Sequence, residues 1–314
     1  MEEKLLVEKL VASPWWDENC EDLCSPDFAL EMPFAPPGVA QYPCAGQLWA
    51  HKQWLRKTVR EWKTSLERIF ASADPASGVY FAVYIAEAKV HWGGVDGEYK
   101  SRTIDRFTFR DGKVVNLRKW FNPLEWLRAA GRELPLFQVE IPWDDVPKYR
   151  KARLEREAQP FTFDPSPEAA KARMAQNVTA FCASTSAENH KTFDHPTNYD
   201  RTVYWLPPVM KEHVEGDEVD QMEAWTWASM HDWKLMEDAV AYPTEDPLCF
   251  FFETGGYGDV SWLGNHSHGG YQNRYIKYME MDENGFIIKY GEYVNPINKF
   301  NSINVSIPTF PWLY

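Results

Sequence analysis

The amino-acid sequence predicts an α+β fold made of two tandem copies of one unit, each a curved antiparallel sheet packed by helices. A motif of tryptophan, six residues, an acidic residue and a second tryptophan occurs twice, beginning at Trp54 and at Trp225. A Val-x-Trp segment follows each motif and ends at Trp92 or at Trp262. Because similarity at a long and nearly constant period is the signature of a repeat, the sequence indicates a tandem duplication.

The first copy, residues 1–140, begins with a predicted helix that carries the whole Trp54 motif. Apolar residues recur there at spacings of three and four, as on the buried face of a helix. They are Leu48, Trp54, Leu55, Val59 and Trp62. A strand rich in aromatic residues follows at Val79–Trp92. Two further strands are joined at Asp111-Gly112, a dipeptide typical of a hairpin turn.

The second copy, residues 165–314, repeats this order. Its opening helix is predicted over Pro165–Ser184, because prolines stand at its start and alanines favour a helix after them. The aromatic strand is predicted at Leu248–Trp262 and the hairpin turn at Asp282–Gly285. Residues 141–164 are charged and contain prolines, and this composition predicts a linker with one short helix.

The net charge and the aromatic content of the chain indicate which kinds of molecule it binds. Among 314 residues, 33 are Lys or Arg and 46 are Asp or Glu, and the net charge of -13 disfavours nucleic acids and anionic membranes. Aromatic residues make up 15% of the chain, and ring stacking on a small aromatic substrate is a natural use for them. No secretory signal or spanning segment is visible, and five irregularly spaced cysteines fit reduced thiols. We expect a cytoplasmic protein.

The order strand, Gly, Tyr, strand, Asp-Gly-Lys, strand, aromatic-Asn-Pro resembles the NTF2-like superfamily, in particular its SnoaL-like and phenazine-biosynthesis A/B branch. The second copy is the closer match, continuing to the tail Ser306-Ile307-Pro308, and the first matches more loosely over Gln41–Ala130. This resemblance implies a cone of sheet and helices around one apolar pocket, and assembly into a homo-oligomer.

The resemblance also implies positions for acid–base residues. In this superfamily the acid–base residue often lies three residues before the Asn of the last strand, which is Glu292 in the second copy and Lys119 in the first. A family histidine three residues before the first helix Trp corresponds to His51, whereas the second copy has Met222. Neither copy has both groups, so we do not expect the phenazine condensation reaction.

In the first copy, Lys119 and His51 are candidate catalytic residues, together with Arg102 or Asp105 from the neighbouring strand. Alternation puts Arg102 and Asp105 on opposite faces, and the sequence leaves open which face is inward. Apolar neighbours predict a lowered pKa for Lys119, and Lys119 with Arg102 could stabilise a phenolate. Both cations could equally reach solvent from the sheet. Rings expected to bind the substrate are Trp54, Tyr80, Tyr84, Trp120, Phe121 and Tyr271.

In the second copy, Glu292 stands among tyrosines, and ring burial predicts a raised pKa suited to a general acid. His213 could act as a proton shuttle over the pocket or simply be solvated. His266 and His268 could bind a metal or form a lid, or belong to a plain glycine-rich loop; we expect no metal.

The sequence contains no phosphate-binding loop, dinucleotide fingerprint or nucleophile elbow, and we expect no cofactor. The leading hypothesis is a cofactor-independent lyase acting on a phenolic aromatic substrate. Among two-copy relatives, the chain resembles sphingomonad enzymes that convert lignin-derived diarylpropanes to stilbenes with release of formaldehyde. A polyketide or alkaloid cyclase or isomerase, and a non-catalytic binding module, remain open.

Overall fold

The computed structural model describes residues 2–158, 162–183, 200–236, 238–266 and 269–311. The chain forms two units. Unit 1 comprises Met1–Leu134 and Ile307–Tyr314, and unit 2 comprises Pro135–Ser306. Each unit contains one mixed, mainly antiparallel sheet with helices packed on it. The predicted α+β class with two sheets is confirmed.

Unit 1 contains a five-stranded sheet in the order β1-β5-β4-β3-β2. Its helices are α1 (Glu2–Ala12), α2 (Ala45–Thr58) and α3 (Pro123–Ala129), and its strands are β1 (Cys24–Glu31), β2 (Val59–Ala71), β3 (Val79–Trp92), β4 (Val95–Arg110) and β5 (Lys113–Phe121). Strand β1 pairs with β5 in parallel, and the other pairs are antiparallel. The β4–β5 turn places Asp111 and Gly112 at φ 52° and 71°, as a tight hairpin requires.

Unit 2 contains a six-stranded sheet in the order β6-β11-β10-β9-β7, with β8 also paired to β9. Its helices are α4 (Val146–Glu157), α5 (Pro167–Ala183), α6 (Asp217–Ser229) and α7 (Pro296–Ser302). Its strands are β6 (Asp200–Tyr204), β7 (Met230–Leu235), β8 (Val240–Pro243), β9 (Cys249–Val260), β10 (Gly269–Met281) and β11 (Ile287–Val294). Strand β6 pairs with β11 in parallel, as β1 does with β5. No helix among the described residues is long and apolar enough to cross a membrane.

The predicted helix around the tryptophan motif is wrong at its C-terminal end. Helix α2 stops at Thr58, and Glu61 and Trp62 lie in β2. In unit 2, α6 likewise stops before Trp233, which lies in β7. The motif therefore spans a helix and the strand after it, where pairing with β3 or β9 overrides the three-to-four spacing that suggested one helix.

The segment predicted as a linker contributes to unit 2. Helix α4 packs on α6. The guanidinium of Arg153 binds both oxygens of Asp220, through Nε at 2.8 Å and Nη2 at 2.9 Å. Because Asp220 is fully buried, α4 supplies the charge that compensates a carboxylate inside this unit.

The Asn-Pro dipeptide that follows the last strand of each copy starts a helix. The side chain of Asn122 accepts a hydrogen bond from the backbone nitrogen of Leu124 at 3.1 Å, and Asn295 accepts one from Ile297 at the same distance. Asparagine is a favoured N-cap, and proline fits the first helical turn because no backbone N–H donor is needed there. The repeated dipeptide thus starts α3 and α7 after the last strand of each copy.

The segments after α3 and α7 are exchanged between the units. Phe310 packs on Trp54 and Trp92 of unit 1, with ring centroids 5.5 Å apart in both pairs. Phe137 packs on the two equivalent tryptophans of unit 2 at 6.3 and 6.2 Å. Each phenylalanine follows the Asn-Pro of its own copy by the same number of residues but belongs to the other unit.

Candidate active site

The inward face of β4 is the face that carries Asp105. Tyr99, Ser101, Thr103, Asp105 and Phe107 alternate along this strand and are all buried. Arg102 lies on the opposite face, where it forms an ion pair with Glu67. The face of β4 that carries Asp105 is therefore the inward one. Arg102 does not contact Lys119, because successive side chains of a strand point to opposite faces of the sheet.

Unit 1 holds a closed polar cluster of three side chains. Lys119 on β5 is directly opposite Asp105 on β4, and its Nζ lies 3.0 and 3.1 Å from the two carboxylate oxygens. Tyr84 on β3 donates its hydroxyl proton to Asp105 Oδ2 at 2.8 Å and accepts a hydrogen bond from Lys119. Burial raises the pKa of Asp105 despite the opposing charge of Lys119. Both carboxylate oxygens already have partners within the protein.

Unit 2 holds the same cross-strand pair with the charges exchanged. Lys277 on β10 is directly opposite Glu292 on β11, and its Nζ lies 2.8 Å from Glu292 Oε2. Tyr290 donates its hydroxyl proton to the same oxygen at 2.8 Å. No hydrogen bond reaches Oε1 from the residues that the structure describes, and the Glu292 side chain is 20% exposed. This carboxylate therefore has one oxygen held and one open.

The charge state of Glu292 differs from the expectation. Burial alone raises its pKa, but the charges of Lys277 and Arg201 and the hydrogen bonds from Lys277 and Tyr290 outweigh burial and lower it to about 2. The predicted raised pKa was wrong, because Lys277 lies directly opposite Glu292 and its charge favours the carboxylate anion. At neutral pH Glu292 is an anion, suited to accept a proton rather than donate one.

A second lysine of unit 2 lies in an aromatic cage. Lys299 of α7 is 7% exposed, and its Nζ is 4.2 Å from the ring centroid of Trp262, 5.5 Å from that of Tyr271 and 5.8 Å from that of Trp225. Burial lowers its pKa to about 8, although the charge of Glu292 opposes the shift. The sequence reasoning missed this residue.

Two predicted histidines lie away from these ion pairs. His51 is buried among the rings of Trp15, Trp54 and Trp126, and burial lowers its pKa to about 4, so it is neutral. His213 is half-exposed, and its Nε2 lies 2.8 Å from a Glu215 oxygen.

Trp120 is opposite Ile104 on the outward face of β5, where Arg118 lies over its ring at 5.4 Å. The other predicted ring residues lie on inward faces of their units. Phe121 stacks on Trp126 at 4.9 Å, Trp54 stacks on Trp92 at 5.4 Å, and Tyr271 packs on Trp262 at 5.2 Å. Tyr80 and Tyr84 share one face of β3, and Tyr80 contacts Phe109 edge-on at 5.6 Å.

A groove of about 720 Å³ in unit 2 borders Trp262, the ring nearest to Lys299. Leu136, Val209 and Leu263 supply apolar lining, and His266 lies at its rim. This volume suits an organic molecule with more than one ring. His268 lies outside the described residues, and no cluster of three metal-binding side chains occurs among those described.

Comparisons with known proteins relate the chain to phenazine biosynthesis proteins. The model of the family described as phenazine biosynthesis protein A/B matches residues 206–311. The match covers most of the second copy and supports the resemblance stated for it. A PhzA/B-like protein of Pseudomonas aeruginosa is 29% identical over 35% of this chain and 75% of its own length. Phenazine biosynthesis protein PhzA1 of that bacterium is 29% identical over 32% of this chain, and the match spans 59% of PhzA1.

Solved structures of NTF2-like proteins also resemble parts of the chain. A phenazine biosynthesis-related protein of Pseudomonas aeruginosa is similar over 50% of this chain and 96% of its own length, with 19% identity and a TM-score of 0.38. An NTF2-like protein of Burkholderia thailandensis is similar over 42% of this chain and 98% of its own, with 12% identity and a TM-score of 0.32.

Proposed function

We propose that the chain is an enzyme whose unit 2 transfers a proton to or from a hydrophobic, ring-bearing small molecule. The observation that carries this proposal is the open Oε1 of Glu292. Lys277 and Tyr290 both bind Oε2, so they fix the orientation of the carboxylate without blocking its second oxygen. An ionised, oriented carboxylate with an open oxygen can accept a proton from a bound substrate.

In its most specific form, the proposal is a lyase acting on a phenolic diarylpropane. Loss of the benzylic hydroxyl as water gives a quinone methide. Glu292 Oε1 then accepts the proton of the γ-hydroxyl group, and the carbon–carbon bond breaks to release formaldehyde. The electron pair of that bond restores the phenol ring and leaves a stilbene. The neighbouring aromatic side chains supply stacking surface for the two substrate rings.

The second candidate is a cyclase or isomerase. The match of unit 2 to the phenazine biosynthesis A/B family favours it, because that family is named for a biosynthetic pathway. The same open carboxylate would move a proton between two positions of one substrate, and no fragment would be released. Release of formaldehyde therefore separates the two candidates.

The experiment measures formaldehyde and stilbene absorbance after a phenolic diarylpropane is added to the purified protein. Glu292→Gln should lower turnover by about 10² or more, the usual contribution of a general base. Glu280→Gln is the matched control, because Glu280 accepts a hydrogen bond from Tyr278 at 2.7 Å but lies on the other face of β10. It should keep the wild-type rate.

Each other result has a defined meaning. Full turnover of a folded Glu292→Gln protein contradicts the assignment of the base. Conversion of a ring substrate without formaldehyde supports the cyclase or isomerase. Binding of aromatic molecules with no conversion supports a binding module. Unfolding midpoints of both variants show whether a lost rate merely reflects lost folded protein.

A further inference from the structure

The amine of Lys299 has no polar partner among the residues that the structure describes. Only 7% of this residue is exposed, and its Nζ forms neither a hydrogen bond nor an ion pair with any described residue. Three aromatic rings surround it instead. A buried cation without an anionic partner is costly, because rings replace only part of the hydration that the ammonium group loses.

The equivalent position in unit 1 shows that the fold does not require a lysine here. Trp126 stands at the same place after Asn122-Pro123 as Lys299 does after Asn295-Pro296. Its ring packs against Trp92 at 5.2 Å, as Lys299 packs against Trp262. An apolar ring therefore fills this site well, and the lysine of unit 2 serves a purpose other than packing.

We propose that Lys299 is a nucleophilic amine that forms an imine with an aldehyde or ketone entering from the groove beside Trp262. The lone pair of the neutral amine attacks the carbonyl carbon, and the carbonyl oxygen takes up a proton. The resulting carbinolamine loses water, which carries away the oxygen and the two amine protons, and a carbon–nitrogen double bond remains. No oxidant or cofactor takes part.

Two features support this chemistry. Lysine becomes a nucleophile in proteins when an apolar site favours its neutral form, and burial has that effect on Lys299. Trp262, the ring nearest to Nζ, also borders the groove of about 720 Å³, so an aromatic aldehyde bound in that groove lies on the far side of the ring that covers the amine. The proposal goes beyond the proton transfer assigned to Glu292 and does not depend on it.

The test traps the imine chemically. The protein is incubated with 4-hydroxybenzaldehyde and sodium cyanoborohydride at pH 8, and modified lysines are located by peptide mass spectrometry. Lys299 should be modified at least about tenfold faster than Lys234, an exposed lysine of β7, because burial favours the neutral amine of Lys299 and the groove beside Trp262 holds the aromatic aldehyde close to it. Lys299→Arg should abolish that adduct, and Lys234→Arg should leave it unchanged.

Modification of exposed lysines with none at Lys299 would overturn the proposal. So would equal modification of all lysines, since that pattern reflects exposure alone. Trapping in the wild-type protein needs no variant, so the result stands even if Lys299→Arg folds poorly. Glu292→Gln should still form the adduct, which keeps this proposal separable from the proton-transfer function.

Discussion

The two units carry the same cross-strand ion pair with opposite polarity. In unit 1 the acid, Asp105, lies on β4 and the base, Lys119, on the next strand, β5. In unit 2 the base, Lys277, lies on β10 and the acid, Glu292, on the next strand, β11. The hydrogen bonds differ as well. Asp105 has partners on both oxygens, whereas Glu292 has one oxygen open. A neutral pair thus satisfies the fold in either polarity, and the open oxygen distinguishes the site suited to chemistry.

The largest expected effect concerns the pair of Asp105 and Lys119 in unit 1. Lys119→Met should lower the free energy of unfolding by about 3–5 kcal/mol, because it leaves the buried Asp105 without its cation. Urea unfolding measures the loss, and hydrogen exchange of β4 locates it. In the double variant with Asp105→Leu most of the stability should return. A loss below about 1 kcal/mol in Lys119→Met would mean that the pair is not structural.

The next effect is the acid stability of unit 2. The folded pKa of Glu292, about 2, lies below its ordinary value of 4.5, so the unfolded state binds more protons between these values. The contribution of Glu292 to the free energy of unfolding is therefore fully present above pH 4.5, and it falls by roughly 3 kcal/mol as the pH drops towards 2. Hydrogen exchange of β10 and β11 should follow this loss, and Glu292→Gln should remove it.

Unit 1 should respond in the opposite sense to mild acid. The pKa of Asp105 is raised above 3.8, so the folded state holds its proton more tightly than the unfolded state does. The contribution of Asp105 to stability is therefore greatest below pH 3.8 and declines as the pH rises through its folded pKa. Identical pH responses of β4 and β10 in hydrogen exchange would contradict the contrast between the units.

A smaller effect is expected at Lys299. The pKa of Lys299 in the folded state, about 8, is below its ordinary value of 10.5. Burial of this lysine therefore lowers the free energy of unfolding most below pH 8, and this destabilisation disappears as the pH rises to 10.5. Lys299→Met should therefore raise the free energy of unfolding by about 1–3 kcal/mol at pH 7 and by less at pH 10. Thermal unfolding at both pH values checks this. The same gain at both would show that packing, not charge, is responsible.

The smallest effect should come from copying the polarity of unit 2 into unit 1. Asp105→Lys with Lys119→Glu keeps a neutral pair in the same register and should change stability by about 1 kcal/mol or less. Either single change puts like charges opposite each other and should cost more. A double variant as unstable as the single ones would show that unit 1 requires its own polarity.

The sequence was most informative where a local pattern determines structure. The strand at Val79–Trp92 has the predicted bounds, and the Asp111-Gly112 turn joins the predicted strands, since alternation and turn chemistry act over few residues. Counting back from the repeated Asn-Pro located both Lys119 and Glu292. The parallel edge strands β1 and β6 were not predicted, because each pairs with a strand distant in sequence.

The partners of the site residues were harder to predict. Lys277 is opposite Glu292 just as Asp105 is opposite Lys119, and an alignment of the two copies could have revealed that reciprocal exchange of charge. Lys299 gave no such signal, because its cage joins rings from α6, the segment just after β9 and the start of β10. Sequence alternation alone could not show that Arg102 faces away from Lys119, since both faces of β4 contain polar residues.

The exchanged phenylalanines affect how the gene can be divided. A fragment ending at Leu134 lacks Phe310, the ring that packs on Trp54 and Trp92. A fragment beginning after residue 140 lacks Phe137, which packs on the equivalent tryptophans. Splitting the duplicated gene at its midpoint thus removes an aromatic side chain from each half. In the fused gene, loss of one copy would also remove an aromatic side chain from the core of the copy that remains.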